Sequence, residues 1–177
     1  MSAPDPALPM DIVREVGIVL ARRALDNPWI DHLWSPHGVL FPVPDCAAGE
    51  LLSEEGDVRL VFAGAATVQL YVPETATYRD NLSTGTPLLW IAARTNEGGT
   101  PDFLRVTADP TEGEAWHEAG SEIVATVVMP DDIAAWIAAF VDAFHVEQVF
   151  QKRQRDRSER KERGFGHKPG GGQETGL

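Results

Sequence analysis

The sequence predicts an α+β domain: a strongly curved antiparallel sheet or open barrel of about seven strands, its face or mouth plugged by a C-terminal amphipathic helix. Three observations lead there. Apolar residues in the first 130 positions mostly recur with period two, the strand candidates follow one another through short connections, and one late segment carries a long 3.6-residue stripe. With 177 residues, 43% of them hydrophobic, the chain can build one ordinary core and has little left for a second.

The elements read in order as follows. Strands are predicted over residues 16–23 and 32–41, where Pro36 requires a bulge or an edge position. Val58, Leu60 and Phe62 alternate with polar or smaller neighbours, as do Val68, Leu70 and Val72, and the intervening Ala63-Gly64-Ala65 reads as the turn of a hairpin. Further strands are expected over 88–94, 103–107 and 122–128, with a short helix over 74–82. Asp109-Pro110-Thr111-Glu112 has the order of a helix start, and Gly120 stands where a left-handed C-cap belongs. The last body helix is the most sharply defined element: Ile133, Trp136, Ile137, Phe140, Val141 and Phe144 share one face, and Asp131 and Asp132 sit at the positive end of its dipole. Seven strands and a C-terminal helix are also the inventory of the pleckstrin-homology-like superfold, an analogy of count.

Charge divides the chain. Fifteen Lys and Arg against 27 Asp and Glu give a formal charge of −12 and a pI near 4.7. Residues 1–150 hold seven arginines and 23 acidic residues, a net of −16, whereas 151–177 hold eight basic and four acidic ones, a net of +4. The organisation expected is a flexible 1–10, a domain over 11–150 and a basic, Gly-rich tail over 151–177, largely disordered because it has too few apolar residues to form a core. Such an acidic body argues against nucleic acid as a partner. The apolar run 16–21 is far shorter than the ~20 residues that span a bilayer, so no membrane partner is expected and a cytoplasmic protein is the default.

Catalytic chemistry finds little footing. The glycines 164–172 follow a charge run and do not link a strand to a helix, as a phosphate loop would. One cysteine, Cys46, precludes an intrachain disulfide and a thiolate-rich metal site. His32 and His37, with Asp31 nearby, come closest to a metal or acid/base cluster, against the commoner reading of strand-surface histidines. The expectation is therefore no enzyme, no metal and no cofactor.

What stands out is Leu25-Asp26-Asn27-Pro28-Trp29-Ile30-Asp31-His32-Leu33-Trp34. Asn-Pro starts a turn between the first two strands, and two tryptophans five residues apart fall on different faces of an extended chain. One suits the core; the other suits either the surface or a partner, because Trp is enriched at binding hot spots.

This segment, extended back to Arg22, resembles a signature of a proteobacterial family of small proteins whose domain has no assigned function. Two further stretches carry the resemblance: residues 74–82, Glu-Thr-Ala-Thr-Tyr-Arg-Asp-Asn-Leu, and 145–157, His-Val-Glu-Gln-Val-Phe-Gln-Lys-Arg-Gln-Arg-Asp-Arg. Members are typically encoded beside a molybdenum-dependent formate dehydrogenase, its sulfur-transfer accessory protein and a second small protein. The resemblance implies a non-catalytic accessory role, a chaperone in biogenesis of that enzyme, with the dehydrogenase catalytic subunit and the second small protein as partners. A structural or regulatory adaptor in the same complex is the alternative. The protein-binding residues this implies are Asn27, Trp29, Asp31, His32 and Trp34 in the first stretch and Tyr78, Arg79 and Asn81 in the second. In the third they are His145, Phe150, Lys152, Arg153, Arg155 and Arg157. Where the family's final motif often has two adjacent histidines and a proline, this chain has Phe144-His145 and Val149, so no role is assigned to a His pair.

Overall fold

In the computed structural model, residues 12–95 and 101–146 are described, without the side chain of Phe103. Their hydrogen-bonded ladders form two antiparallel sheets. The first is built on β1 (Val13–Ala24), which pairs on one side with β2 (His32–Leu40) and on the other with β4 (Val58–Gln69); β3 (Leu51–Glu55) completes the order β2-β1-β4-β3. The second centres on β5 (Leu88–Thr95), flanked by β6 (Pro101–Thr107) and β7 (Ile123–Val128) in the order β6-β5-β7. Three helices accompany them: α1 (Thr75–Leu82), entered through a short 3-10 turn at Val72–Glu74, α2 (Pro110–Ala119) and α3 (Asp131–Phe144).

The α+β class and antiparallel pairing agree with the sequence reading, but the expected single curved sheet is corrected to a four-stranded and a three-stranded one. β2 packs against β7 and β4 against β6, yet no ladder joins them among the described residues. The expected hairpin at Ala63-Gly64-Ala65 is also corrected. β4 runs straight through it, paired with β1 along nearly its whole length, and the register slips between Ile18 opposite Gly64 and Val19 opposite Phe62. Ala63 is the extra residue of a bulge, and Gly64, with φ +129, takes a conformation that an L side chain rarely adopts. The bulge resets which face each side chain meets. Val68 and Leu70 enter the central core, whereas Phe62 is buried elsewhere, where a Cβ on Gly17 would come within 2.9 Å of its ring. β3 was missed because all five of its residues are exposed, so no burial pattern marks it.

Between the sheets lies one apolar cluster. Val16, Ile18 and Leu20 of β1 meet Leu89 and Ile91 of β5, and Ile133, Ile137 and Phe140 of α3 close the cluster. β5 is buried on both faces, which explains its unbroken apolar run: Leu89, Ile91 and Ala93 face this core, while Trp90 and Ala92 face α2 and its Trp116. α2 approaches so closely that a Cβ on Gly113 would lie 2.0 Å from Cγ of Trp90. The helix ends agree with expectation, Asp109 accepting from the Thr111 N–H at 2.9 Å and Gly120 adopting φ +68. Pro36 takes both roles predicted for it: β2 is an edge strand, and the register slip places His37 as its bulged residue.

Candidate functional site

The β1–β2 turn holds the first sequence motif in a fixed shape. The Asn27 side chain accepts the Trp29 N–H at 2.9 Å, and the Leu25 N–H donates to the Asp31 carbonyl at 3.0 Å, so the turn is closed from inside and across its base. That geometry projects Trp29 into solvent at 90% exposure, with Ile30 and Leu33 more than half exposed beside it. Trp34, on the returning strand, packs against the edge of the core instead, so the two tryptophans divide between surface and interior as their spacing predicts.

Under the turn is an open groove of about 870 Å³. Its walls come from the Trp29 turn, from the β3–β4 side at Gly49 and Val61, and from the far ends of the second sheet at Thr95, Pro101 and Ile123. Arg22 and His32 lie inside it. One guanidinium nitrogen of Arg22 is 2.7 Å from Nε2 and 3.1 Å from Nδ1 of His32, and the guanidinium sits 5.8 Å from the Trp34 ring centre. Because arginine can only donate, the imidazole is the acceptor in this pair. Asp31 adds one carboxylate to the same wall.

The second and third motifs meet at the opposite end of β5. Asn81 is 4% exposed and satisfies three backbone groups: its amide donates to the carbonyls of Leu88 at 2.8 Å and Ala108 at 2.9 Å, and its oxygen accepts the Leu88 N–H at 3.0 Å. Tyr78 is 1% exposed, edge-on to Phe140, with its hydroxyl accepting the Tyr71 N–H at 3.2 Å. Burial, with smaller contributions from nearby Asp109, Glu74 and Glu112, pushes its pKa up to about 12 against the lowering effect of that N–H. Both of these residues, expected at a partner surface, are interior in the fold, where their polar atoms bond the backbone around α1. Arg79 and His145, 66 residues apart in sequence, are brought together: Nη1 of Arg79 lies 2.9 Å from Nε2 of His145, whose Nδ1 is 3.1 Å from the Thr75 hydroxyl. Phe150, Lys152, Arg153, Arg155 and Arg157, and the expected flexible 1–10 and tail 151–177, lie outside the described residues.

Sequence reasoning missed two arginines. Arg22 stands in the first motif stretch with no local signal to set it apart from Arg23. Arg14 stacks 5.3 Å from the Trp136 ring centre and 5.8 Å from that of Phe41, with its Nε buried and unpartnered; as a charge within an alternating strand, it resembles any outward residue. The histidine pair does not assemble: His32 turns to Arg22, His37 is exposed in the bulge, and no three His, Cys, Asp or Glu side chains converge as metal ligands would among the described residues. Desolvation, with Glu50 and Asp45, raises the Cys46 thiol and so disfavours its thiolate. No helix among the described residues is long and apolar enough to cross a membrane. No curated protein and no solved structure matches the chain. One family model does, over residues 15–154, from within β1 past the end of α3, covering the first two motif stretches and residues 145–154 of the third, and the chain accordingly belongs to the family described as a protein of unknown function, DUF3305.

Proposed function

We propose that this protein is a non-catalytic accessory factor, a chaperone in the biogenesis of a molybdenum-dependent formate dehydrogenase. It grips an extended apolar segment of the immature catalytic subunit with the Trp29 turn and acts with a second small partner protein in the cytoplasm. The finer fold belongs to the same reading: two antiparallel sheets and a closing C-terminal helix arranged on a pleckstrin-homology-like plan.

The observation that carries the protein-binding part is Trp29, whose indole is held in solvent by a pinned turn above an open groove. The Asn27 bond fixes the backbone that carries this ring, so the turn itself is ordered before a partner arrives, and tryptophan is among the residue types most enriched at binding hot spots. The client is supported by the resemblance of the three motifs to proteins encoded beside that enzyme. Affinity capture from cells grown with and without molybdate tests the whole reading. A chaperone enriches the immature dehydrogenase when molybdate is withheld and releases the mature enzyme, whereas an adaptor copurifies with active enzyme in both conditions. Recovery of no dehydrogenase in either condition refutes both.

A further inference from the structure

The chemistry of the groove says more about its ligand than exposure alone. Of the seven arginines in residues 1–150, Arg23, Arg59, Arg79 and Arg105 each face a carboxylate, of Asp57, Glu54, Asp80 and Glu122 respectively. Arg14 and Arg22 have no carboxylate partner among the described residues, although the body around them is strongly acidic; of the two, Arg22 is the one that lines the groove. Among the described residues its guanidinium bonds to the ring of His32 and lies 5.8 Å from the Trp34 ring centre, which leaves most of its five donors without a protein acceptor at the wall of an open groove.

From this juxtaposition we infer that the groove binds an extended peptide segment carrying one acidic side chain beside apolar residues, the carboxylate on Arg22 and the apolar side chains on Trp29, Ile30 and Leu33. A planar guanidinium set beside an aromatic ring offers a two-pronged seat for a carboxylate, and bonds to an ionised acceptor are shorter and stronger than neutral ones. Asp31 on the same wall opposes a second negative charge, so the fitting segment has a single acid and not an acidic run. This rests on the protein-binding reading above and adds the chemical class of the segment bound.

The test uses the full chain and two amidated, acetylated hexapeptides, Ala-Leu-Phe-Glu-Leu-Ala and its Gln counterpart, titrated by calorimetry. The Glu peptide is expected to bind about tenfold or more tighter, the gain a charge-assisted hydrogen bond gives over a neutral one. Arg22→Gln should abolish the difference between the peptides, Arg22→Lys should keep part of it, and Trp29→Ala should weaken both peptides by the same factor. Equal affinity for the two peptides, or no binding of either up to about 1 mM, overturns the inference. The two readings fail separately. Glu preference without capture of the dehydrogenase refutes the client and leaves the groove chemistry standing; capture that depends on Trp29 without Glu preference does the reverse.

Discussion

The two ends of β5 use the same kinds of residue to opposite purposes. At the Leu88 end, Asn81 and Tyr78 direct their polar atoms at the protein's own backbone and are sealed from water. At the Thr95 end, Asn27 fixes a turn, but Trp29, Ile30 and Leu33 face outward and most donors of Arg22 have no protein acceptor among the described residues. A motif rich in aromatic and polar residues is thus no guide to role by itself. The same composition holds the fold together where it meets unpaired backbone, and presents a surface where it caps an edge.

Substitutions at the two ends should therefore separate stability from binding, and the core between them sets the scale. Trp136→Ala removes a 7%-exposed ring from α3 where it faces the cluster and supports Arg14, and should cost about 3–5 kcal/mol, seen as an unfolded or insoluble protein. A soluble variant with an unchanged urea midpoint would show that this face of α3 does not depend on the ring. Asn81→Ala should follow at about 3 kcal/mol, because it leaves three backbone groups unpaired in the interior. That loss corresponds to a fall in melting temperature of about 6–12 °C for a chain of this size. A shift under two degrees would transfer the α1 joint from the interior class to the surface class.

Tyr78 gives a pH test of the same end. Its pKa in the folded protein, pushed up to about 12, lies above the ordinary tyrosine value of 10.0, so the folded state holds the phenolic proton more tightly than the unfolded state. The stabilisation is complete below pH 10 and is lost as the pH rises toward 12. Tyr78→Phe should flatten that stretch of the stability profile; an identical alkaline decline in the variant would assign the loss to other groups. The smallest effect on stability is expected at the other end. Trp29→Ala should leave the melting temperature within about a degree, since exposed positions rarely move stability by more than ~0.5 kcal/mol, yet abolish capture of the partner. Marked destabilisation by that variant would erase the contrast between the two ends.

The helices and most strands were legible because each depends on residues close in sequence. The Asp109 cap, Gly120 and the α3 stripe act within a few turns, and structure and expectation agree there. The sequence predicts a hairpin where β4 runs because Ala63-Gly64-Ala65 has the composition of a turn. Only the continuous pairing of β1 on its flank keeps the chain straight through the bulge. The described residues nevertheless hold seven strands, the number predicted, since the expected hairpin divides one strand in two while β3 has no counterpart in the sequence reading. In the site, that one of the two tryptophans would face outward was readable from their spacing, and the structure decides that it is Trp29. Arg22 was not readable, because its pairing with His32 rather than with a carboxylate depends on which side chains β1 and β2 bring beside it.

Sequence alone determined the class of the fold, its acidic body and the segment that stands out from it, because composition and local periodicity are properties of neighbouring residues. Tertiary structure decided that the strands close as two sheets, that Tyr78 and Asn81 turn inward, that Arg79 meets His145 across 66 residues, and that a groove opens beneath Trp29. Each of these is a contact between distant parts of the chain. Whether a polar side chain pairs with backbone or faces water depends on which groups folding leaves beside it, and that is decided only when the strands have chosen their neighbours.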